Sequence, residues 1–355
     1  MQWLDNPYIN KDFCTEQLAP FPPLRSDSVA VQKLLELCPV HHVTPLICDA
    51  RLSDALGVCK VLLKIEEQRM GLGSFKALGA AYVIAKRAAE MKTDTISWER
   101  ALEGETFIAA SAGNHGLSLA AGARIFGAKA VIVLSKTVPE SFAQRLHEKG
   151  TDVIIAGKDY QQSLDKALEL SQEKGWQLVS DTTWPDYIDT AMDVMEGYTQ
   201  LADEITQQVP SSPSHVFLQA GVGGLASAVA RVLRKHWGTS GEGGPQIIIV
   251  EPEAAPALLC SIAAQKPLVT QGSVSDMGRL DCKEPSWAAL KSLARDADAF
   301  MTITEEEAQE GVKLLNSCGV KTTSSGGAGF AGAFAAKERL DINAKLLFVI
   351  SEGVT

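Results

Sequence analysis

The chain of 355 residues lacks several features that define whole classes of protein. It has no apolar run long enough to span a bilayer, and the acids and prolines of Met1–Phe21 do not form a signal-peptide core. It also has no Lys/Arg block, and its formal net charge of −10 disfavours binding to nucleic acid or to anionic membranes. We therefore expect a cytoplasmic protein whose partners are small molecules.

Cysteine and aromatic residues are also sparse. Aromatic residues make up 6% of the sequence, and its seven cysteines show no CxxC spacing. This pattern is typical of reduced thiols in a cytosolic protein, and we expect no metal site. Apolar residues nevertheless account for 46% of the chain, which excludes bulk disorder, and the length indicates two domains.

Short runs rich in Val, Ile and Leu alternate with helical stretches from Lys60 onward. Such runs suit strands buried on both faces of parallel sheets, and their alternation with helices predicts an α/β fold. Because the strand spacing is uneven, two doubly wound parallel-sheet domains are favoured over an α/β barrel. We predict strands at residues 60–66, 106–110, 130–134, 152–156, 176–180, 215–220, 246–251, 300–304 and 345–350.

Two local signals complete the predicted architecture. The first forty residues are polar and contain several prolines, which predicts an arm that lies on the body of the protein. Thr304 and Glu307 have the three-residue spacing of a capping box, so we expect a helix to begin after Thr304. Ligands of doubly wound sheets bind at the carboxyl ends of strands, and the loops there are where chemistry is expected.

The first such loop, GLGSFKALGAA (71–81), places Lys76 after a glycine-rich turn at the start of a helix. The positive end of a helix disfavours a second cation, so we expect Lys76 to be a neutral amine. A neutral lysine is what imine formation with a carbonyl requires. A solvated lysine at a helix start is the alternative interpretation.

The second loop, SAGNHG (111–116), directly follows a predicted strand. Its small residues allow backbone amides to point at an anion, and Asn114 adds a neutral donor and acceptor. An ordinary strand-to-helix turn with an Asn cap is an equally good interpretation.

The third loop, GVGGLA (221–226), fits the pattern G-x-G-x-x-[GA] between a strand and a helix. The pattern predicts a bound phosphate but does not identify the molecule that carries it. With Glu251 after the next strand it also matches the dinucleotide fingerprint. A nicotinamide-dependent oxidoreductase is therefore an alternative from a different class.

Two further features lie near the end of the chain. The glycines of SGGAGFAGAFAA (325–336) are expected to let a helix pack closely, and Ser351 ends the last predicted strand, facing either a ligand or solvent. Together the loops supply an imine-forming lysine, a phosphate loop, a polar Asn loop and a terminal serine. These are the parts that pyridoxal phosphate requires.

The motifs S-F-K (74–76), S-A-G-N-H-G (111–116) and G-V-G-G-L (221–225) resemble, in that order, those of fold type II (tryptophan-synthase-β-like) pyridoxal-phosphate enzymes. Further stretches are similar to the diaminopropionate ammonia-lyase family, namely FPPL (21–24), TPL (44–46), SDTTWPDY (180–187), MEGYTQLADE (195–204), VEPE (250–253) and the run from Met277 to Pro285. The resemblance implies a homodimer that binds a small amino acid. It also implies a large cofactor-phosphate-binding domain of residues 1–70 and 191–355 and a small mobile domain of residues 71–190.

The resemblance also implies roles for particular residues. Lys76 would be the Schiff-base lysine and the base that removes the α-proton. Asp181 would lie near the substrate amino group, and either Asp181 or the cofactor phosphate would act as the general acid. The cofactor would contact Lys76, Phe75, Asn114 at its ring hydroxyl, Gly221, Val222, Gly223, Gly224 and Leu225 at its phosphate, and Ser351 at its pyridine nitrogen. The substrate carboxylate would bind the amides of the loop that contains Ser111, Ala112, Gly113 and His115.

The chain departs from the family pattern at three positions. Ala112 stands where the lyase usually has an Asp that is thought to act as the base for the D-isomer, so turnover of D-substrates is not expected. The loop around it instead looks like that of serine/threonine dehydratases. Arg279 and Lys283 stand where the lyase tends to have glycines, and their positive charge near a substrate loop is compatible with a more acidic substrate.

The resulting hypothesis is β-elimination from a small L-amino acid with an amine or hydroxyl at Cβ, 2,3-diaminopropionate-like, giving a 2-keto acid and ammonia. Dehydration of serine, threonine or 3-hydroxyaspartate and β-replacement by a second nucleophile are alternatives with the same cofactor. A non-catalytic ligand-binding protein on this fold is a further alternative.

Overall fold

The computed structural model describes residues 1–11, 13, 15–111, 113–136, 138, 140–158 and 160–354, without the side chain of Ser141. Ala112, one of the predicted substrate-binding residues, lies outside the described residues. Within the described residues the strands are β1 (Trp3–Asp5), β2 (Leu46–Cys48), β3 (Lys60–Ile65), β4 (Thr106–Ala110), β5 (Lys129–Leu134), β6 (Asp152–Ile155), β7 (Gln177–Leu178), β8 (His215–Gln219), β9 (Gln246–Pro252), β10 (Ala299–Ile303) and β11 (Lys345–Ile350).

Helices connect these strands. The helices are α1 (Ser28–Leu35), α2 (Ala50–Leu56), α3 (Lys76–Met91), α4 (Asn114–Ile125), α5 (Glu140–Glu148), α6 (Tyr160–Lys174), α7 (Asp189–Gly197), α8 (Thr199–Gln208), α9 (Gly224–Trp237), α10 (Ala257–Ala264), α11 (Trp287–Asp296), α12 (Glu305–Ser317) and α13 (Ala328–Ala335). Short 3-10 helices lie at Glu16–Leu18, Arg69–Gly71, Trp98–Arg100, Ser240–Glu242 and Lys337–Arg339. No helix of the described ranges combines the length and apolar character that crossing a membrane requires.

The strands form two sheets. A seven-stranded sheet has the order β1-β10-β9-β8-β11-β3-β2, and a four-stranded sheet has the order β6-β5-β4-β7. All pairings are parallel except those of β1 with β10 and of β2 with β3. The α/β class and all nine predicted strands are confirmed. The four strands of the smaller sheet lie within residues 71–190, while the domain boundaries themselves stay a prediction.

The predicted N-terminal arm is more structured than the sequence indicated. Strand β1 pairs antiparallel with β10, and α1 packs against α3 and α8. Leu18 and Phe21 between them are buried in the main hydrophobic core. The segment is therefore part of the folded body and completes one edge of the larger sheet.

Two local predictions near the C-terminal part are confirmed. The Thr304 hydroxyl accepts the Glu307 amide over 3.2 Å while the Glu307 carboxylate accepts the Thr304 amide over 2.9 Å, which forms the capping box of α12. Glycines of α13 allow close packing, since a Cβ on Gly329 would lie 2.7 Å from the carbonyl oxygen of Phe217. The glycines of the segment 325–336 therefore contribute to packing in the hydrophobic core.

A cluster of four buried charged side chains anchors the segment that leads to Lys76. This buried ion cluster consists of Lys64, Glu66, Arg69 and Glu204, each with 0–1% of its side chain exposed. Arg69 donates to Glu66 over 2.7 Å and to Glu204 over 2.7 and 2.8 Å, and Lys64 donates to Glu204 over 2.6 Å. Two cations and two anions balance, and they tie the end of β3 to α8.

Candidate active site

Lys76 begins α3 directly after a glycine turn. Gly71 and Gly73 have φ values of +68° and +84°, which glycine adopts without strain. The Phe75 amide donates to the Ser351 carbonyl oxygen over 3.1 Å. This bond holds the turn against the end of β11, so that the predicted residues Lys76, Phe75 and Ser351 lie together.

The Lys76 ammonium forms an ion pair with Asp181, and both groups are largely buried. Burial alone would lower the pKa of Lys76, but the Asp181 carboxylate and the Tyr198 hydroxyl outweigh it and hold that pKa above its ordinary value. Burial would likewise raise the pKa of Asp181, but the charge of the Lys76 ammonium and its hydrogen bond hold it well below its ordinary range. The predicted neutral amine is therefore wrong for this structure, because the partner charge outweighs the helix end.

The Asn114 loop joins β4 to α4. The Ser111 hydroxyl accepts the amides of Gly113 over 3.3 Å and of Gly116 over 3.0 Å, which fixes the loop. The Asn114 amide nitrogen donates to a carboxylate oxygen of Glu352 over 2.7 Å. Glu352, which sequence reasoning missed although it directly follows Ser351, therefore sets the orientation of the Asn114 side chain.

The His115 side chain is buried. Its Nε2 lies 2.9 Å from the carbonyl oxygen of Val179. Burial lowers the pKa of His115, with the charges of Asp181 and Lys76 acting in opposite directions. The His115 imidazole is therefore neutral and has a structural role. The predicted contact of this residue with the substrate carboxylate involves its backbone amide only.

The phosphate loop connects β8 to α9. Gly223 has φ +97°, a conformation that favours glycine, and Gly224 is the first residue of α9. A Cβ on Gly221 would lie 2.9 Å from the Cys282 sulfur, so the loop packs against the 279–282 segment. Burial raises the pKa of the Cys282 thiol to about 12, which makes it an inert neighbour. Amides at the start of a helix suit a phosphate.

Glu251 does not complete a dinucleotide site. Its carboxylate is fully buried and accepts the amides of Leu258 over 2.7 Å and Leu259 over 2.8 Å at the start of α10. Burial raises its pKa to about 8. Because this carboxylate is fully buried and bonded to backbone amides, it cannot bind the ribose of a nicotinamide cofactor. The alternative of a nicotinamide-dependent oxidoreductase is therefore wrong.

Tyr198 is a second residue that sequence reasoning missed. Its ring contacts Phe75 edge-on, with 4.8 Å between ring centroids, and it packs beside Gly224. Its hydroxyl is buried and has no hydrogen-bond partner among the described residues. A buried hydroxyl without a partner is costly, and a phosphate on the neighbouring glycine loop would supply the acceptor. Its only sequence signal was its place in the MEGYTQLADE stretch.

The donor set fits pyridoxal phosphate. An amine is present for the aldehyde, an amide for the ring hydroxyl, and helix-start amides with a free tyrosine hydroxyl for the phosphate. Ser351, 5% exposed, lies at the end of β11, so its predicted surface alternative is wrong. Within the described residues no group of three or more His, Cys, Asp or Glu side chains is placed to hold a metal. The lysine, the Asn114 loop and the glycine loop on this two-sheet α/β fold together define a fold type II pyridoxal-phosphate enzyme.

Residues 37–352 match the family described as "Pyridoxal-phosphate dependent enzyme", and the chain belongs to that family. It is 32% identical over 290 residues to diaminopropionate ammonia-lyase of Escherichia coli K12, covering 78% of this chain and 71% of the relative. It is 26% identical over 314 residues to L-threonine ammonia-lyase of Thermotoga maritima, covering 88% and 71%.

Solved structures show the same fold. The Escherichia coli diaminopropionate ammonia lyase in complex with an aminoacrylate-PLP azomethine reaction intermediate superposes with a TM-score of 0.85 at 28% identity, covering 99% of this chain and 93% of that chain. Threonine deaminase isoform 2 from Solanum lycopersicum gives a TM-score of 0.76 at 22% identity, covering 99% and 94%. At that identity the second similarity establishes the fold alone.

Proposed function

We propose that the protein is an ammonia-lyase that removes an amine or hydroxyl from Cβ of a small L-amino acid and yields a 2-keto acid and ammonia. The observation that carries this is the buried Lys76–Asp181 ion pair, whose charges act on His115 of the Asn114 loop and on Cys282 of the 279–282 segment. The Escherichia coli relative, whose structure holds an aminoacrylate intermediate, supports elimination.

When bound, pyridoxal phosphate supplies an aldehyde for amines and a ring that accepts electrons from Cα. The side chain of Lys76 would hold the aldehyde, and its Nζ, when free and neutral, would take the proton from Cα. Asp181, which is ionised while it pairs with the Lys76 ammonium, would take up a proton once Lys76 holds the aldehyde and burial dominates its pKa, and it would then give that proton to the leaving group on Cβ. The amides of the Ser111–His115 loop bind the substrate carboxylate.

The remaining contacts position the cofactor. Asn114, oriented by Glu352, would donate to the ring hydroxyl, and Ser351 would be a neutral partner for the ring nitrogen. The amides at Gly221–Leu225 bind the phosphate. Closure of residues 71–190 over the substrate, a homodimer and a cytoplasmic location stay predictions.

Keto acid and ammonia released by the pyridoxal-phosphate-loaded protein test the proposal. We expect L-2,3-diaminopropionate to give two ammonia per pyruvate and L-serine one, because only the first loses nitrogen from both Cα and Cβ. Amino acids without a leaving group on Cβ, such as L-alanine, are the control. If none of the β-substituted amino acids yields keto acid, or if product forms only when a thiol is added, replacement or binding is the better description.

Tyr198→Phe tests the phosphate contact. We expect the dissociation constant of pyridoxal phosphate to rise roughly tenfold, since the variant loses one hydrogen bond to a charged group. Absorbance titration of the apoprotein measures it. Tyr82→Phe is the control, because the charges nearest that hydroxyl are Glu196 and Asp193. Equal affinity in both variants would remove Tyr198 from the cofactor site.

A further inference from the structure

Arg279 lies over the loop that we propose binds the substrate carboxylate. A Cβ on Gly113 would lie 3.2 Å from Nη1 and 3.3 Å from Cζ of Arg279, so the guanidinium rests directly on that loop. The Arg279 amide donates to the Ser325 hydroxyl over 3.1 Å, which fixes its backbone. The residue therefore occupies a defined position beside the site.

Within the part of the chain that the structure describes, the guanidinium of Arg279 keeps its hydrogen-bond donors available. Its nearest acid is Glu352, with 3.7 Å between Nε and Oε2, which is beyond hydrogen-bond distance. The two Glu352 oxygens already accept Asn114 over 2.7 Å and Thr323 over 2.6 Å. Glu352 thus offsets part of the positive charge without occupying the donors, and 41% of the Arg279 side chain is exposed.

The charged side chains near Arg279 are engaged with other partners. Lys283, the other cation of this segment, donates to the carbonyl oxygens of Ala254 over 2.8 Å and Ser273 over 2.7 Å and to Asp281 over 2.6 Å. Asp181 is paired with Lys76. Position 112, next to Gly113, is an alanine and brings no carboxylate. An ammonium on the substrate side chain would be repelled here, and an anion attracted.

We propose that Arg279 binds a second carboxylate on the substrate and selects amino dicarboxylates with a hydroxyl at Cβ, the class of 3-hydroxyaspartate. The planar guanidinium matches a carboxylate with two parallel hydrogen bonds. This inference rests on the proposed function. The Cα–H and Cβ–O bonds break, the hydroxyl leaves as water, and one water is taken up as nitrogen leaves as ammonia, so that 3-hydroxyaspartate gives oxaloacetate and ammonia.

The test compares both diastereomers of L-3-hydroxyaspartate with L-serine on the holoenzyme. We expect the wild type to prefer 3-hydroxyaspartate in kcat/KM. Arg279→Met should lower that kcat/KM by about 10–100-fold while serine changes by no more than about twofold, because only the dicarboxylate loses a charged hydrogen bond. Arg279→Lys should retain part of the preference. Arg100→Met, which removes an arginine that pairs with Glu103 at the surface, is the matched control.

Every other kinetic outcome with an active holoenzyme overturns the inference. An equal loss for both substrates assigns Arg279 to the α-carboxylate or to structure, and no loss, or a wild type that prefers serine, removes it from recognition. If the wild type eliminates from neither of these substrates nor from L-2,3-diaminopropionate, the proposed function fails. Spectral titration of the holoenzyme with the same amino acids then tests the inference. It is supported if the wild type binds the dicarboxylate more tightly than serine and Arg279→Met abolishes this difference. It is overturned if the wild type binds both amino acids equally.

Discussion

Replacing Lys76 with alanine is expected to lower keto-acid production on the order of 10³-fold or more, because the variant loses both the amine for the cofactor and the base for Cα. Borohydride reduction followed by mass measurement of the intact chain checks the covalent part. The wild type should retain the cofactor on Lys76 after denaturation, and the variant should release it. Lys92→Ala, which changes the lysine that follows the other end of α3, is the control and should behave like the wild type.

The Lys76→Ala variant also leaves the Asp181 carboxylate without its partner. Because the charge of Lys76 holds the pKa of Asp181 down against burial, that pKa should rise in the variant. Circular dichroism and gel filtration confirm that the variant is folded before its activity is compared. A variant that still fixes the cofactor with borohydride, or still eliminates at wild-type rate, would show that another lysine carries the chemistry.

The part of this fold that could be predicted from the sequence is the alternation of buried strands with helices. The buried strands were readable from the sequence because parallel strands covered on both faces must be apolar along their whole length. Strands β1 and β2 were not predicted, since each has three residues and lies at a sheet edge, where such a run is not needed. The glycine loop at 221–225 was predicted because its conformation depends on local residue types.

The electrostatics of the site could not be predicted in the same way. The helix start at Lys76 indicated a neutral amine, whereas its protonation is set by Asp181, 105 positions away. Likewise, Asn114 is oriented by Glu352, 238 positions away. Contacts of this kind depend on which loops the sheets bring together, so they cannot be predicted from a local sequence pattern. Only the family resemblance brought Asp181 into the predicted site.

The buried ion cluster beneath the Lys76 turn carries the largest expected effect on stability. Glu204→Gln is expected to lower the free energy of unfolding at pH 7 by roughly 3 kcal/mol, because it leaves two buried cations with a single carboxylate. Lys64 and Arg69, which lose the charge of their partner, are both fully buried. Urea unfolding measures the change. Asp203→Asn, which alters the preceding residue of α8, is the control and should change stability by no more than about 0.5 kcal/mol.

The same cluster predicts the sign of a pH dependence. Burial would raise the pKa of Glu204, but hydrogen bonds from Arg69 and the charges of Arg69 and Lys64 lower it from 4.5 to about 2. A carboxyl with a lowered pKa in the folded state stabilises that state fully above pH 4.5, and the stabilisation is lost as the pH falls toward 2. Glutamine does not titrate, so the difference in unfolding free energy between wild type and Glu204→Gln should narrow across this interval. A difference that stays constant from pH 5 to pH 3 would mean that Glu204 acts through packing and that its charge contributes nothing to the stability of the turn.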